Sequence, residues 1–256
     1  MLNNLSHLTK SSVTATDGVI GHVNAAFFDD QSWTIRYLVV NTGSWLTGRE
    51  VLISPYAVKQ PVGSVENIDV ALSREQVKNS PDIDTHQPVS RQHEREYLGY
   101  YAYPEYWDGG GLWAMGAFPL LPLAPPTPEE AAANAELREK DRLAADVHLR
   151  SSTKVSGYKI QAADDSIGHV KDFIFDDESW TIRYLVVDTR NWWPGGTKVL
   201  FATHWIDRID WASESVYVSL TREQVKNSPQ YHEAAAVTRD YEKQLHAAYD
   251  RRGYWP

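Results

Sequence analysis

Short apolar stretches separated by turn-forming residues occupy both ends of the chain. Residues 20–28 and 34–41 are rich in β-branched and aromatic side chains, and the Asp-Asp-Gln-Ser sequence between them is typical of a turn. Residues 34–41 are apolar at both alternating sets of positions, which predicts a strand buried on both faces. Further strands are predicted at residues 51–53, 67–70, 199–201 and 216–218. Many short strands in a small unit favour a small barrel or a rolled sheet.

Helix signals follow the strands in each half. Ser73 with Gln76, and Thr221 with Gln224, have the spacing of a capping box, and a proline ends each predicted helix after two turns. Ser90 or Thr238 then begins a longer helix with an apolar stripe that must be buried on its own unit, on the sister unit or on another chain. The stripe comprises Tyr97, Tyr100 and Tyr101 in the first half and Tyr241, Leu245, Ala248 and Tyr249 in the second.

The two halves are copies of one unit. Residues 20–42 and 167–189 are identical at 17 of 23 positions, with an offset of 147 residues. Residues 72–81 match residues 220–229 at an offset of 148. A repeat of this length is the sequence signature of a duplicated structural unit. We therefore predict repeat 1 at residues 1–107 and repeat 2 at residues 150–256, each with a helical tail.

Residues 108–149 differ from both repeats. The segment begins with glycines and contains four prolines between residues 119 and 126, so it is predicted to be an extended linker and not a membrane span. Thr127-Pro128-Glu129-Glu130 is typical of a helix N-terminus. The alanine-rich sequence after it predicts a helix through about Leu149.

Composition narrows the possible functions of the 256 residues. The chain has 34 acidic and 25 basic side chains, a formal net charge of -9, and no cysteine. An acidic protein is poorly suited to wrap nucleic acid or to lie on an anionic membrane. The lack of cysteine excludes disulfides, thiolate nucleophiles, zinc ribbons and iron–sulfur clusters. The N-terminal sequence has no basic or apolar region typical of a secretory signal, so a cytoplasmic location is expected.

The repeated sequence resembles a known family. Gly-His-Val, Phe-Asp-Asp, Trp-Thr-Ile-Arg-Tyr-Leu-Val-Val and Arg-Glu-Gln-Val-Lys-Asn-Ser-Pro occur in both copies. They are similar to the PRC-barrel family, which is named for the cytoplasmic domain of the photosynthetic reaction-centre H subunit. The resemblance covers both repeats and implies a mainly β fold with helical additions, in which two tandem PRC-type barrels are joined by the linker and central helix. It also implies binding to other proteins, and it supplies no catalytic motif.

Three groups of polar residues have to be weighed as candidate chemistry. The acidic clusters Asp29-Asp30 and Asp176-Asp177-Glu178 suit a hard cation or acid–base work, but at a hairpin turn they are expected to accept hydrogen bonds from backbone amides. His22 and His169 occupy matching positions, and a histidine on a strand face is favoured over a metal or pH-sensing site. Arg36 and Arg183 are expected to pair with the acidic turns of their own hairpins.

Aromatic residues are the candidate partner-binding residues. Exposed tryptophan and tyrosine often dominate the energy of protein interfaces. Tryptophans in the loop after the most apolar strand either cap the mouth of the barrel, which we favour, or anchor a partner. The aromatic tails are the expected site of contact between domains or subunits. The predicted partner-binding residues are Trp45, Trp192, Trp193, Tyr97, Tyr101, Trp107, Leu245, Tyr249, Tyr254 and Trp255.

The sequence thus predicts a non-enzymatic interaction or scaffold module that self-associates and binds an unknown protein partner. No catalytic residue, cofactor or metal ligand is assigned, and neither direct nucleic-acid binding nor a membrane span is expected. One alternative is a small-ligand or metal site in the cleft between the two barrels, to which His22, His169 and the acidic turns would contribute. Another alternative is an adaptor associated with ribosomes or RNA processing.

Overall fold

The structure, a computed structural model, is mainly β with a few short helices, as the sequence predicts. It describes residues 1–59, 66–81, 89, 91–106, 148–190, 192 and 195–255. The strands in these residues are β1 (Leu2–Asn4), β2 (Ser12–Ala15), β3 (Gly18–Asp29), β4 (Ile35–Asn41), β5 (Glu50–Ile53), β6 (Asn67–Asp69), β7 (Leu149–Ser151), β8 (Lys159–Gln161), β9 (Ser166–Asp176), β10 (Thr181–Asp188), β11 (Lys198–Ala202), β12 (Ile206–Asp210) and β13 (Ser215–Val218). The α-helices are α1 (Leu5–Leu8), α2 (Arg74–Lys78), α3 (Arg91–Tyr101), α4 (Ser152–Val155), α5 (Arg222–Lys226) and α6 (Arg239–Ala248), with 3₁₀ turns at Gly43–Leu46, Pro55–Ala57 and Thr203–Trp205.

The chain forms two compact units, and each unit draws on both repeats. Unit 1 contains Met1–Ser6, Thr153–Asp177 and Ile182–Pro256, and unit 2 contains His7–Ser152 and Glu178–Thr181. The predicted boundaries at residues 1–107, 108–149 and 150–256 therefore describe the repeats along the chain, whereas the units in space exchange short segments.

Unit 2 is built on one sheet. Its strand order is β5-β4-β3-β2-β6, and β7 also pairs with β3. The long strand β3 pairs with β4 along one edge, while its other edge pairs first with β2 and then, at Phe27 to Asp29, with β7. The β2–β6 pair is parallel and the other pairs are antiparallel. The two edges of β3 are thus completed by three other strands.

Unit 1 repeats this plan. Its strand order is β11-β10-β9-β8-β13-β12, and β1 also pairs with β9. The antiparallel β1–β9 pair places Asn3 opposite Phe175 and Asn4 opposite Ile174. The chain runs from β11 at one end of this order through the 3₁₀ turn at Thr203–Trp205 directly into β12 at the other end.

The exchanged strands are counterparts of each other. Leu2 aligns with Leu149 at the offset of 147 residues, so β1 and β7 are the same element of the two repeats. β1 completes the sheet of unit 1, and β7 completes the sheet of unit 2. The prediction of a helix through about Leu149 is therefore wrong at its end, because His148 is not helical and Leu149 to Ser151 form a strand. Residues 127–147 of that predicted helix lie outside the described residues.

The core is formed where the sequence places its apolar strands. β4 and β10 are buried on both faces along most of their length, as predicted. In unit 2 one buried cluster joins β3, β4 and β5 to α3 and to Leu149 of β7. Gly21 lies so close to the backbone of Asn41 that a Cβ atom would collide with its carbonyl group, and Gly168 meets Asp188 in the same way. The repeated glycine therefore permits close crossing of two strands.

The predicted helix caps are present. Ser73 with Gln76, and Thr221 with Gln224, form complete capping boxes at α2 and α5. Thr238 caps α6 by accepting a hydrogen bond from the Tyr241 amide, while Ser90 lies outside the described residues. None of the described helices is both long enough and apolar enough to cross a bilayer.

Candidate functional site

Each unit carries a surface pocket beside its short capped helix. In unit 2 a cavity of about 380 Å³ is lined by Asp17, Trp45, Arg74, Glu75, Lys78 and Asn79. In unit 1 a cavity of about 530 Å³ is lined by Asp164, Arg222, Glu223, Lys226 and Asn227. Every lining residue of the second cavity is the aligned and identical counterpart of a residue in the first. We call these the paired pockets.

The helix of each pocket is held by its first turn. The Arg74 backbone amide donates a hydrogen bond to Asp17 Oδ1 at 2.8 Å, and the Arg222 amide donates to Asp164 Oδ1 at 3.0 Å. Below the pocket, Val77 and Val225 are buried. The aspartates thus satisfy backbone donors at the helix N-terminus, and the arginine, lysine, glutamate and asparagine side chains remain to face solvent.

The repeat comparison singles out the exposed lining residues. Burial explains why the valine is the same in both copies, and capping explains the Ser/Thr–Gln pair. Burial does not explain Glu75, Lys78 and Asn79, which are exposed and yet identical to Glu223, Lys226 and Asn227. The first-turn glutamate, the last-turn lysine and the C-cap asparagine suit the helix, but an exposed helix end tolerates other residues at these positions. The pattern of this block predicted a capped helix and contributed to the family resemblance, but it did not indicate a site. The signal that identifies it is identity between copies at positions where folding does not require a particular residue.

The two pockets differ in the surroundings of their arginine. In unit 2 the Arg74 guanidinium lies over the Trp45 ring at 4.4 Å from its centre, and the Trp45 indole donates to the Ile20 carbonyl. In unit 1 Arg222 instead pairs with Asp165 at 2.7 Å. The residue aligned with Asp165 is Gly18, so repeat 1 has no carboxylate at that position. The arginine of the unit 2 pocket is therefore stacked on an aromatic ring, and the arginine of the unit 1 pocket is neutralised by a carboxylate.

Of the predicted partner-binding residues that the structure describes, Trp45 alone lines one of these pockets. Trp45 lines the unit 2 pocket and is half-buried. Trp192 is also half-buried, and its indole donates to Ser166 Oγ at 3.1 Å. Trp107 and Trp193 lie outside the described residues. The residues of the aromatic tails that are buried in their own units are Tyr97, Leu245 and Tyr249, and those that are half-buried are Tyr101, Tyr254 and Trp255. Their role in partner binding stays a prediction.

Sequence reasoning missed a buried glutamate in each unit. In unit 1 Glu242 accepts hydrogen bonds from the hydroxyls of Tyr184 at 2.7 Å and Tyr254 at 2.9 Å. Burial, together with the bond to Glu242, holds the pKa of Tyr184 well above its usual range, so this hydroxyl stays a donor. Burial and the same carboxylate raise the pKa of Tyr254 to about 12. The glutamate thus joins α6, strand β10 and the aromatic tail.

Unit 2 contains the matching arrangement. Tyr106 donates to Glu94 Oε1 at 2.6 Å, and His148 Nε2 lies 3.1 Å from Glu94 Oε2. Glu94 aligns with Glu242 and Tyr106 with Tyr254. The Arg36 guanidinium stacks on the Tyr106 ring at 3.8 Å, as Arg183 does on Tyr254 at 4.3 Å. Because these carboxylates are engaged by side chains of their own unit, the arrangement anchors the tail; no pocket described above contains them.

The first acidic turn accepts hydrogen bonds from backbone amides, as predicted, whereas Asp177 of the second turn accepts one from the side-chain amide of Asn3. Asp29 Oδ1 accepts hydrogen bonds from the amides of Gln31 at 3.0 Å and Ser32 at 2.8 Å. Burial alone would raise the pKa of Asp29, but the Ser32 amide and the Arg36 charge bring the net pKa below its usual value. Arg36 lies 3.9 Å from Asp29, which confirms the predicted pairing, and Arg183 lies 3.7 Å from Asp176.

The two matched histidines lie on strands. His22 is exposed on β3, and His169 is half-buried on β9 near Trp192, as expected for histidines on strand faces. In the part of the chain that the structure describes, no three histidine, aspartate or glutamate side chains converge as ligands of one metal ion. The geometry therefore gives no support to the metal alternative in those residues.

Comparison with known proteins adds no relative: no protein-family model and no curated protein matches this chain.

Proposed function

We propose that this protein is a non-enzymatic protein-interaction module in which the paired pockets are the docking sites. The single observation that carries the proposal is the identity of the exposed lining residues in both units. After a duplication, exposed residues without a folding role are free to diverge, so four exposed or half-exposed side chains retained together favour a shared binding task.

The chemistry of the unit 2 pocket favours an acidic group on the partner. Arg74 and Lys78 are one helical turn apart and point from the same face of α2. Asp17 is already engaged by the Arg74 amide, and Arg74 has no carboxylate partner among the described residues. An arginine stacked on an indole is preorganised to bind a carboxylate, because its side chain has already lost conformational freedom. In unit 1 the same arginine must first leave Asp165.

Charge reversal at the pocket lysines tests this proposal. In Lys78→Glu/Lys226→Glu, we expect the loss of the protein partner that the unaltered chain retains from a lysate of its source organism. The matched control is Lys10→Glu/Lys243→Glu, which changes the net charge equally at one exposed lysine in each unit outside the pockets. Equal retention of the partner by both double variants would contradict docking at the pockets.

The asymmetry of the pockets provides a gain-of-binding test. Asp165→Asn removes the carboxylate that neutralises Arg222 and should strengthen partner binding through unit 1. The exposed pair itself contributes about 0–1 kcal/mol, so little stability is lost. Unchanged or weaker partner binding, measured by titration calorimetry with the captured partner, would contradict the acidic-group assignment.

We further propose that each unit is a PRC-type barrel, that the protein self-associates, and that it acts in the cytoplasm without direct nucleic-acid contact. The long strand β3 with its three partners, and the direct passage from β11 into β12, support a strongly curved sheet in each unit. Light scattering of the purified protein tests self-association. A molar mass of 29.0 kDa across the micromolar range would contradict it.

A small acidic ligand is the second candidate for the same pockets. Cavities of about 380 and 530 Å³ fall within the roughly 300–1,000 Å³ typical of ligand sites. A rise in melting temperature with a panel of small carboxylates, lost in Arg74→Gln, would favour this candidate. Partner capture without any such shift would favour protein docking.

A further inference from the structure

The exchanged strands β1 and β7 carry different polar side chains, although they are counterparts. Asn3 and Asn4 of β1 align with Arg150 and Ser151 of β7. Each strand adds to one edge of a long strand through backbone pairing, at Ile174 to Asp176 in unit 1 and at Phe27 to Asp29 in unit 2. Backbone pairing is the same in both places and cannot by itself distinguish the two strands.

In unit 1 the strand is held by a buried polar network. The Asn4 amide donates to Asp172 Oδ2 at 3.0 Å, and its carbonyl accepts from the Tyr231 hydroxyl at 2.7 Å. Asp172 also accepts from the Ser6 hydroxyl at 2.6 Å and from the Ser6 amide at 3.1 Å. Asn4, Asp172 and Tyr231 are all buried. Every polar group of the Asn4 side chain therefore has a partner in this unit.

The residues that the structure describes in unit 2 do not form this network. The residue aligned with Asp172 is Ala25, and the residue aligned with Asn4 is Ser151. β7 is held instead by Arg150, whose Nε donates to Asp30 Oδ2 at 2.8 Å, and by Ser152 Oγ, which accepts from the Ala26 amide at 3.1 Å. If β1 occupied this position, Asn4 would take the half-buried place of Ser151 and would lose its hydrogen bond to Asp172. A buried amide without a hydrogen-bond partner is costly.

We propose that Asn4, Asp172 and Tyr231 are specificity-determining residues that direct β1 to unit 1, and that the two repeats are thereby obligate partners. The sheet of unit 1 is completed by β1 from repeat 1, and the sheet of unit 2 is completed by β7 from repeat 2. Each repeat therefore supplies the strand that binds the edge strand of the other repeat. The edge beside Ile174 to Asp176 is a binding site for a strand with asparagine at its third position. The inference does not depend on the function of the paired pockets.

A double-mutant cycle in the full chain tests whether Asn4 and Asp172 act as a pair. Asn4→Ser introduces the residue that β7 carries at the aligned position, and Asp172→Ala introduces the residue that repeat 1 carries there. Each single change should lower the urea midpoint, and the double variant should lower it by clearly less than the sum, because it recreates the Ser151–Ala25 combination. The control cycle is Asn24→Ala with Glu50→Ala, an exposed hydrogen-bonded pair that should give nearly additive shifts. Additive decreases in the urea midpoint for the Asn4 and Asp172 changes would overturn their assignment as a specificity-determining pair.

Cleavage of the full chain tests the mutual completion. A protease site inserted between residues 108 and 147 allows the folded protein to be cut while both exchanged strands stay in place. We expect the two pieces to elute as one complex, and Asp172→Ala to speed their dissociation by about tenfold, as expected when a buried polar network loses one member. Separation of the cut protein into two folded pieces, or the same dissociation rate in Asp172→Ala, would overturn the proposal.

Discussion

Replacement of Glu242 by alanine should destabilise unit 1 strongly. Glu242 is about 2 % exposed and accepts hydrogen bonds from Tyr184 and Tyr254. Hydrogen bonds to a charged group contribute about 1.5–3 kcal/mol each. Its ion pair with Arg239, at 3.0 Å, adds little, because Arg239 is half exposed. Loss of both hydroxyl bonds should therefore lower the free energy of unfolding by about 3–6 kcal/mol.

The matched variants separate the hydrogen bonds from the helix. Glu242→Gln keeps an oxygen that can accept from the tyrosines, but it removes the charge and replaces the oxygen that faces Arg239 with an NH2 group, so it should cost about 1–2 kcal/mol. Gln244→Ala changes an exposed position of the same helix and should be close to neutral. The order of stability should be Gln244→Ala, then Glu242→Gln, then Glu242→Ala.

Urea unfolding followed by tryptophan fluorescence measures these differences. With a urea dependence of about 1–3 kcal/mol per molar for a small unit, the Glu242→Ala midpoint should fall by roughly 1–6 M. Hydrogen exchange of the β10 amides should rise in the same variant, because Tyr184 lies on that strand. A Glu242→Ala midpoint equal to that of Gln244→Ala would refute the view that the buried glutamate anchors the tail.

Three further outcomes are expected. Gly21→Ala should destabilise the protein by about 1–3 kcal/mol, because the new methyl group meets the Asn41 backbone. Gly99→Ala, in open space within α3, should stabilise it by about 0.5–1 kcal/mol. Thermal unfolding measures both, and equal effects of the two changes would contradict the explanation that Gly21 permits close crossing of strands. Burial lowers the pKa of His246, so the unfolded chain binds a proton more readily and stability should fall as the pH drops below about 6.5. His246→Leu introduces the residue that repeat 1 carries and should flatten this pH dependence of stability, measured by urea titration. An unchanged pH dependence in that variant would refute the role of His246. The pKa of Asp29 is lowered despite burial, so its contribution is present above about pH 3.8 and lost in more acidic solution; Asp29→Asn should weaken the acid dependence, and an identical acid midpoint would contradict this.

Local features of this protein could be predicted because they depend on nearby residues. The strands at β3, β4 and β10, the two capping boxes and the pairing of Arg36 with its own acidic turn all follow from patterns within about ten residues. The duplication was also evident from identity alone. The proposed role of the pocket residues was not evident, because a helix signal accounted for the same block until the structure separated its buried residues from its exposed ones.

The choice of partner for β1 and β7 was decided only in the tertiary structure. The two strands are counterparts, so an arrangement in which each repeat keeps its own strand has the same local pattern as the exchanged one. The polar contact that distinguishes them joins Asn4 to Asp172, which lie 168 residues apart in the chain. The sequence alone determined that two similar sheets form; the burial of a few complementary polar groups, brought together only by folding, decided which strand completes which sheet.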